Sequence, residues 1–109
     1  MRQYEIWWAT LPPPIGQRPV LLLTRNAAYR YLNRITVVEI TSKPRGIRQE
    51  VWLDRREGVS RPCVARFDNL ASIPKESLRR RLGQLAPARV SEIKRAVGHT
   101  FAWQELLDD

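Results

Sequence analysis

The chain has 109 residues, of which 43% are hydrophobic, and this size and composition predict one compact domain spanning residues 1–109. Nineteen lysines and arginines against eleven acidic residues give a formal net charge of +8, which favours a polyanionic partner. No run of about 18 apolar residues and no signal-peptide pattern is present, so we expect a cytoplasmic protein with no membrane association.

Two apolar segments near the start of the chain predict a β-hairpin. Residues 4–11 (YEIWWATL) are aromatic and β-branched without a helical period, which favours a first strand. Residues 19–24 (PVLLLT) form a short apolar run typical of a buried second strand. The connecting loop contains three prolines, at 12–14, and Gly16, so its φ angles are partly fixed and one position is a hinge.

Three further strands are predicted in the middle of the chain. Residues 35–41 (ITVVEIT) and 47–53 (IRQEVWL) are two of them, and the segment 42–46 (SKPRG) between them is predicted to be a hairpin turn. Residues 63–70 (CVARFDNL) alternate enough to form a fifth strand, and residues 71–74 (ASIP) are a candidate extension of it.

The last third of the chain changes its pattern. The basic run 75–85 (KESLRRRLGQL) is interpreted as a solvated surface. From Pro87 onward, apolar residues recur every three or four positions and predict one amphipathic helix; they are Val90, Ile93, Val97 and Phe101. Five or six short strands followed by one helix predict a mainly β fold, a bent antiparallel sheet closed or nearly closed on itself.

Four segments together resemble the MazF/PemK (Kid) family of bacterial toxins. They are EIWWATLPPPIGQRPVLLLTRN, TSKPRGIRQEV, CVARFDNLASIPK and LGQLAPARVSEIKRAV, and they cover nearly the whole chain in family order and spacing. The resemblance implies a small Src-homology-3-type β-barrel with a C-terminal helix, the fold of MazF, PemK and CcdB toxins, working as a homodimer in the bacterial cytoplasm.

The same resemblance implies an activity. The family comprises sequence-specific, metal-independent endoribonucleases that cut single-stranded RNA, usually messenger RNA, to 2′,3′-cyclic phosphate and 5′-hydroxyl ends, and so stop translation and growth. A cognate antitoxin is expected to neutralise the toxin by laying an acidic, partly disordered segment over the RNA groove. With one cysteine, Cys63, and one histidine, the sequence offers too few ligands for a zinc site, and no cofactor is expected.

Two residues carry over from the family as catalytic. The arginine of the Gly-x-Arg-Pro motif falls on Arg18, whose guanidinium stays charged and can hold a phosphate bidentately. The threonine that closes the third strand falls on Thr41, which we expect to hydrogen bond to the phosphate. We expect Arg18 chiefly to stabilise the pentacovalent transition state. The resemblance also implies a second role for Arg18, protonation of the leaving oxygen.

Further residues are predicted to bind RNA. The first loop and the segment after the third strand place polar and cationic groups beside Arg18, and a polar pair at the end of the predicted fifth strand matches the polar pair of the family. These candidates are Ile15, Gly16, Gln17, Ser42, Lys43, Arg45, Asp68 and Asn69.

The group that accepts the proton of the attacking 2′-hydroxyl stays open at this point. His99 is the default general base by residue type but lies far along the chain from the motif loops. The carboxylates that remain as candidates are Glu5, Glu39, Glu50, Asp54 and Asp68. Two other functions also stay open: a CcdB-like poison of DNA gyrase that cleaves nothing, and a nucleic-acid-binding barrel without catalysis.

Overall fold

Six antiparallel strands form one sheet in the computed structural model, which describes residues 1–107. The strands are β1 (Glu5–Thr10), β2 (Gln17–Leu22), β3 (Arg34–Thr41), β4 (Glu50–Leu53), β5 (Cys63–Pro74) and β6 (Leu78–Gln84), and a single α-helix in this part of the chain, α1 (Val90–Phe101), follows them. Across the sheet the order is β4, β5, β3, β2, β1, β6. The expected mainly β fold with a C-terminal helix is confirmed.

Both faces of the sheet are apolar because successive side chains of a strand point to opposite sides. Leu21 and Val38 belong to one buried cluster, whereas their neighbours Val20 and Val37 belong to a second cluster on the other face. The middle strands are therefore continuous apolar runs, which is why they could be recognised from the sequence.

Helix α1 covers the first cluster with part of its predicted apolar face. Ile93 is buried, as predicted, and Ala96 joins it in the core. The expectation for Phe101 is wrong: its side chain is 45% exposed. It stacks on Trp103 with ring centroids 4.8 Å apart, because Ala102 turns the chain in the left-handed region and brings Trp103 back beside the helix.

The two edges of the curled sheet meet at a pair of glycines. Gly58 follows β4 by a short 3₁₀ turn, and Gly83 lies in β6 at the opposite edge. A Cβ on Gly83 would collide with the backbone of Glu57, and one on Gly58 would collide with the backbone of Leu82. The curled sheet is bridged at this point by a backbone-to-backbone contact between β6 and the turn after β4, a contact that only glycine permits.

One sequence prediction about the sheet is wrong. Residues 42–46 are not a hairpin turn, because β3 and β4 each pair with β5 and lie on opposite sides of it. The basic run 75–85 contains a strand that was not predicted, β6, which pairs with β1 and exposes its basic residues. Arg79, Arg80 and Arg81 are exposed, so this edge strand has no alternating apolar pattern that would reveal it.

Candidate functional site

A cleft of about 520 Å³ opens beside the seam where the sheet edges meet. One wall comes from the ends of β2 and β3, with Arg18 and Thr41, and the opposite wall comes from residues 58–61 and from β6. Apolar side chains, including Ile40 and Leu82, complete the lining. The cleft is therefore formed by segments distant in the sequence, which the barrel brings together.

The first hairpin fixes the position of Arg18. Strands β1 and β2 pair with Ala9 opposite Arg18 and Thr10 opposite Gln17, so Arg18 is the second residue of a paired strand and not part of a loose loop. The connecting loop is closed by a hydrogen bond of 2.9 Å from the Leu11 N–H to the Gly16 carbonyl, and Gly16 has a φ of 69°. The predicted hairpin is confirmed here.

Arg18 and Thr41 lie on the same face of neighbouring strands. The pairing of β2 with β3 places Val20 opposite Glu39, and extending that register by two residues places Arg18 opposite Thr41. The Arg18 guanidinium Nη1 is 3.6 Å from Glu39 Oε1, and the Arg18 side chain is 34% exposed. A charged guanidinium, a carboxylate and a hydroxyl thus converge at the ends of two strands.

The hydroxyl of Thr41 is available as a donor toward the cleft. Its Oγ1 accepts a hydrogen bond of 3.2 Å from the Lys43 N–H, which also folds the chain after β3 back beside the site. Within residues 1–107 the hydroxyl hydrogen has no acceptor. Thr41 can therefore donate to an anionic oxygen held near Arg18.

Four cationic side chains surround the cleft: Arg18, Lys43, Arg61 and Arg80. None of the described residues that line it is acidic. Cations around a concave surface attract polyanions and raise their local concentration.

An aromatic side chain lies beside these cations. Trp8 lines the cleft and is paired with Arg80 on one side and Pro19 on the other. Its Nε1 donates a hydrogen bond of 2.8 Å to Gln17 Oε1, which fixes the indole plane. Trp7 instead packs against the second buried cluster, so of this pair it is Trp8 that offers a stacking surface at the cleft.

Cys63 also lines the cleft but is not a nucleophile. Burial raises the pKa of the Cys63 thiol to about 11, so it stays protonated at neutral pH. Residues 1–107 contain no group of three or more histidine, cysteine or acidic side chains placed to hold a metal ion. In the same range, no helix has the length and apolar character needed to cross a membrane.

The structure brings together half of the residues predicted from the sequence. Arg18, Gln17, Thr41, Ser42 and Lys43 line the cleft. The other predicted site residues do not line it, and Asp68 and Asn69 lie inside β5. These other residues are Ile15, Gly16, Arg45, Asp68 and Asn69.

Sequence reasoning missed Trp8, Ser60, Arg61 and Arg80 as cleft residues. A β-strand pattern cannot say which of two adjacent tryptophans faces a site. Arg61 and Arg80 reach the cleft only through the contact between the sheet edges, which leaves no local signal. The one available clue is that both belong to arginine-containing segments of a basic chain.

Comparison with known proteins gives a consistent result. A model of the PemK-like, MazF-like toxins of type II toxin-antitoxin systems matches residues 2–101. The chain is 40% identical over 93 residues to a probable endoribonuclease, MazF2, of Mycobacterium tuberculosis H37Rv, a match covering 84% of this chain and 89% of that protein.

Solved structures show the same similarity. The M. tuberculosis toxin MazF-mt6 matches with a TM-score of 0.84 and 35% identity, covering 90% of this chain and 96% of that one. A mycobacterial endoribonuclease in complex with its cognate antitoxin has the same fold, with a TM-score of 0.80 at 21% identity, covering 94% of this chain and 96% of that one.

Proposed function

Since the chain belongs to the PemK-like and MazF-like toxin family, we propose that it is a metal-independent endoribonuclease that cuts single-stranded RNA and acts as the toxin of a toxin-antitoxin pair. The observation that carries this proposal is the placement of Arg18 and Thr41 on neighbouring strand ends in one cationic cleft. The cleft offers charge and hydrogen-bond donors, which are what cleavage by an internal nucleophile requires.

In this reaction the 2′-hydroxyl attacks the adjacent phosphorus and negative charge builds on the phosphate oxygens. Arg18 supplies a fixed positive charge with donors matched to those oxygens, and Thr41 supplies one further donor. Both groups are held by paired strands, so little reorganisation is needed as the charge develops. The products would be a 2′,3′-cyclic phosphate and a 5′-hydroxyl.

RNA binding is assigned to the rest of the cleft. Lys43, Arg61 and Arg80 contact phosphates and contribute affinity without sequence information, as cations on a phosphate backbone do. Trp8 stacks on one base, which requires the base to be unpaired and so selects single-stranded RNA. Ser42 and Gln17 also line the cleft, and we assign them contacts to base edges or sugar oxygens.

Neutralisation by an antitoxin follows from the same charges. An acidic, initially disordered segment would order over the cleft cations and exclude RNA, because both ligands need the same positive groups. We also propose that the toxin works as a homodimer in the bacterial cytoplasm; light scattering of the purified protein at micromolar concentration tests the dimer directly.

The proposed activity is tested by incubating a long single-stranded RNA with the purified protein in EDTA and mapping the ends. We expect discrete cuts with cyclic phosphate and 5′-hydroxyl termini. Arg18→Ala should lose about 10²–10³-fold or more in rate while still binding RNA. No cutting by a folded, antitoxin-free wild type would contradict the proposal and favour gyrase poisoning or simple nucleic-acid binding.

A further inference from the structure

Cleavage without a metal needs a group that takes the proton of the attacking 2′-hydroxyl, and the structure separates the candidate carboxylates by their partners. Glu5 is bound by Arg81 at 2.8 Å and by the Trp7 indole at 3.0 Å. Glu50 is bound by Arg66 at 2.8 Å and by backbone N–H groups. These carboxylates are fully occupied in structural contacts, and neither lines the cleft.

Asp54 and His99 are also placed away from the cleft. Asp54 caps the 3₁₀ turn at 55–57 and pairs with Arg56 at 3.1 Å. His99 lies in the last turn of α1. Neither lines the cleft.

Glu39 is likewise not among the residues that line the cleft, but it differs from all of these in its partner, because that partner is the cleft cation Arg18. Its Oε1 is 3.6 Å from Arg18 Nη1, and its side chain is only 15% exposed. Within residues 1–107 this ion pair is its only polar contact, so its carboxylate makes no hydrogen bond there. A largely buried carboxylate with unused acceptor sites beside a phosphate-binding cation is poised to accept a hydrogen bond from a ligand.

The strand geometry points Glu39 toward the same side as Arg18 and Thr41. Glu39 is two residues before Thr41 on β3 and shares its face. On the β5 side, the ladder is interrupted: Val38 pairs with Leu70 and Ile40 with Ala65, which leaves Glu39 opposite an irregular stretch, residues 66–69.

The charged groups around Glu39 are therefore few. Arg18 faces it from β2, and the irregular stretch of β5 contains Arg66, which is committed to Glu50, and Asp68, which is exposed. Arg18 is therefore the one cation paired with Glu39 among the described residues.

On the proposed function, we infer that Glu39 is the general base of the reaction. When the phosphodiester lies against Arg18, the 2′-O–H bond breaks and its proton moves to a Glu39 carboxylate oxygen. The 2′-oxygen forms its bond to phosphorus, and the 5′-oxygen leaves with the bonding electron pair and takes a proton from water. The protonated Glu39 side chain then releases its proton to solvent, which restores the starting state.

The distance of 3.6 Å between Arg18 Nη1 and Glu39 Oε1 in the free protein is compatible with a general-base role for Glu39. Catalytic hydrogen bonds are commonly long before substrate binds and shorten in the complex. A phosphate on Arg18 brings the adjacent ribose within a few ångströms of the guanidinium and hence of its ion-pair partner. Phosphate binding also competes with Glu39 for Arg18, which frees the carboxylate for the hydroxyl.

The test is the single-turnover cleavage rate as a function of pH, measured in EDTA for wild type, Glu39→Gln, Glu39→Asp and the control Glu76→Gln. Glu76 is an exposed glutamate outside the cleft. Affinity for an RNA carrying a 2′-deoxyribose at the cut position, which binds but cannot react, is measured in parallel. Melting curves report whether each variant is folded.

We expect Glu39→Gln to lose about 10²–10⁴-fold in rate, with RNA affinity unchanged or higher because a negative charge is removed. The wild-type rate should fall with acid, and this acidic limb of the pH–rate profile should be absent in Glu39→Gln. Glu39→Asp should keep the acidic limb of the pH–rate profile but reach a lower maximal rate. This variant provides the test if Glu39→Gln does not fold. Glu76→Gln should match wild type.

Three results would overturn the assignment. Glu39→Gln within about threefold of wild type would show that an amide suffices and that Glu39 only orients Arg18. If the acidic limb of the pH–rate profile is unchanged in Glu39→Gln, or is absent in Glu39→Asp, then a group other than Glu39 causes it. Failure of the wild type to cut RNA would contradict the proposed function itself. If the wild type cuts RNA and Glu39→Gln is also active, only the assignment of Glu39 as the general base is contradicted.

Discussion

The guanidinium of Arg66 and the carboxylate of Glu50 form a buried ion pair of 2.8 Å that holds the segment after β3 in place. Glu50 accepts hydrogen bonds from the N–H groups of Arg45 at 3.0 Å and Gly46 at 2.9 Å, while Arg66 Nη2 donates to the Lys43 carbonyl at 2.7 Å. Both side chains are nearly inaccessible, 8% and 1% exposed. The pair therefore fixes the backbone that carries Lys43 to the cleft.

Removing one partner of this pair should destabilise the fold strongly. Arg66→Met leaves the buried Glu50 without its guanidinium, and breaking a buried pair in this way costs about 3–5 kcal/mol. Urea denaturation monitored by tryptophan fluorescence measures the change. Arg56→Ala is the matched control, because the Arg56–Asp54 pair is exposed and its loss should have a far smaller effect. Equal effects of the two variants would contradict the structural role.

The same carboxylate makes stability depend on acid. Burial alone would raise the pKa of Glu50, but hydrogen bonds from the Arg45 backbone and from Arg66 outweigh it and hold the pKa below its usual value. The pKa of Glu5 is lowered in a similar way by Trp7 and Arg81, again against burial. A carboxyl whose folded pKa is depressed contributes stability above its unfolded pKa of about 4.3, and this is lost as the pH falls through the folded value.

We therefore expect the urea midpoint to be nearly constant from about pH 7 to pH 5 and to fall below about pH 4.3. Glu50→Gln should start from a lower midpoint and lose less on acidification, because one of the titrating groups is gone. A midpoint that rises on acidification, or an equally steep fall in Glu50→Gln, would show that these carboxylates do not control acid stability.

The closure of the barrel predicts an unusual sensitivity at Gly83. A methyl group there would collide with the Glu57 backbone, which cannot move away as a flexible side chain would, so Gly83→Ala should cost about 3 kcal/mol. Gly16→Ala is the control: its φ of 69° is strained for alanine, but the surrounding space is open. That variant should cost only about 1 kcal/mol. Similar melting temperatures for the two variants would contradict a closed seam.

A structural feature could be predicted from the sequence only where its signal lies in neighbouring residues of the chain. Strands β2 and β3 were recognisable because they are buried on both faces and therefore read as apolar runs. The segment of β6 was not, because its arginines face solvent and its pairing with β1 spans about seventy positions of the chain. The Glu50–Arg66 pair and the arrival of Arg61 and Arg80 at the cleft depend on tertiary contacts in the same way.

Arg80 was identified from the structure and not from a family motif, so it provides an independent test of RNA binding in the cleft. Arg80→Ala should weaken binding of an uncleavable RNA and reduce the slope of log K against log salt by about 0.7, the contribution of one phosphate contact on a single strand. The rate at saturating RNA should change little, since we assign Arg80 a phosphate contact and no part in the reaction. Arg30→Ala, an exposed arginine outside the cleft, should change neither quantity. Identical salt slopes for the two variants would show that Arg80 does not contact an RNA phosphate.

The measurement that tests the account most directly compares two short RNAs that differ in one oxygen at the mapped cut position. In EDTA, the all-ribose RNA should be cut by wild type and at least about 10²–10³-fold more slowly by Arg18→Ala. The RNA with a single 2′-deoxyribose should be bound by both proteins and cut by neither. Cleavage of the 2′-deoxy RNA at that position, or cleavage of the ribose RNA by Arg18→Ala at the wild-type rate, would contradict a reaction of the 2′-hydroxyl stabilised by Arg18.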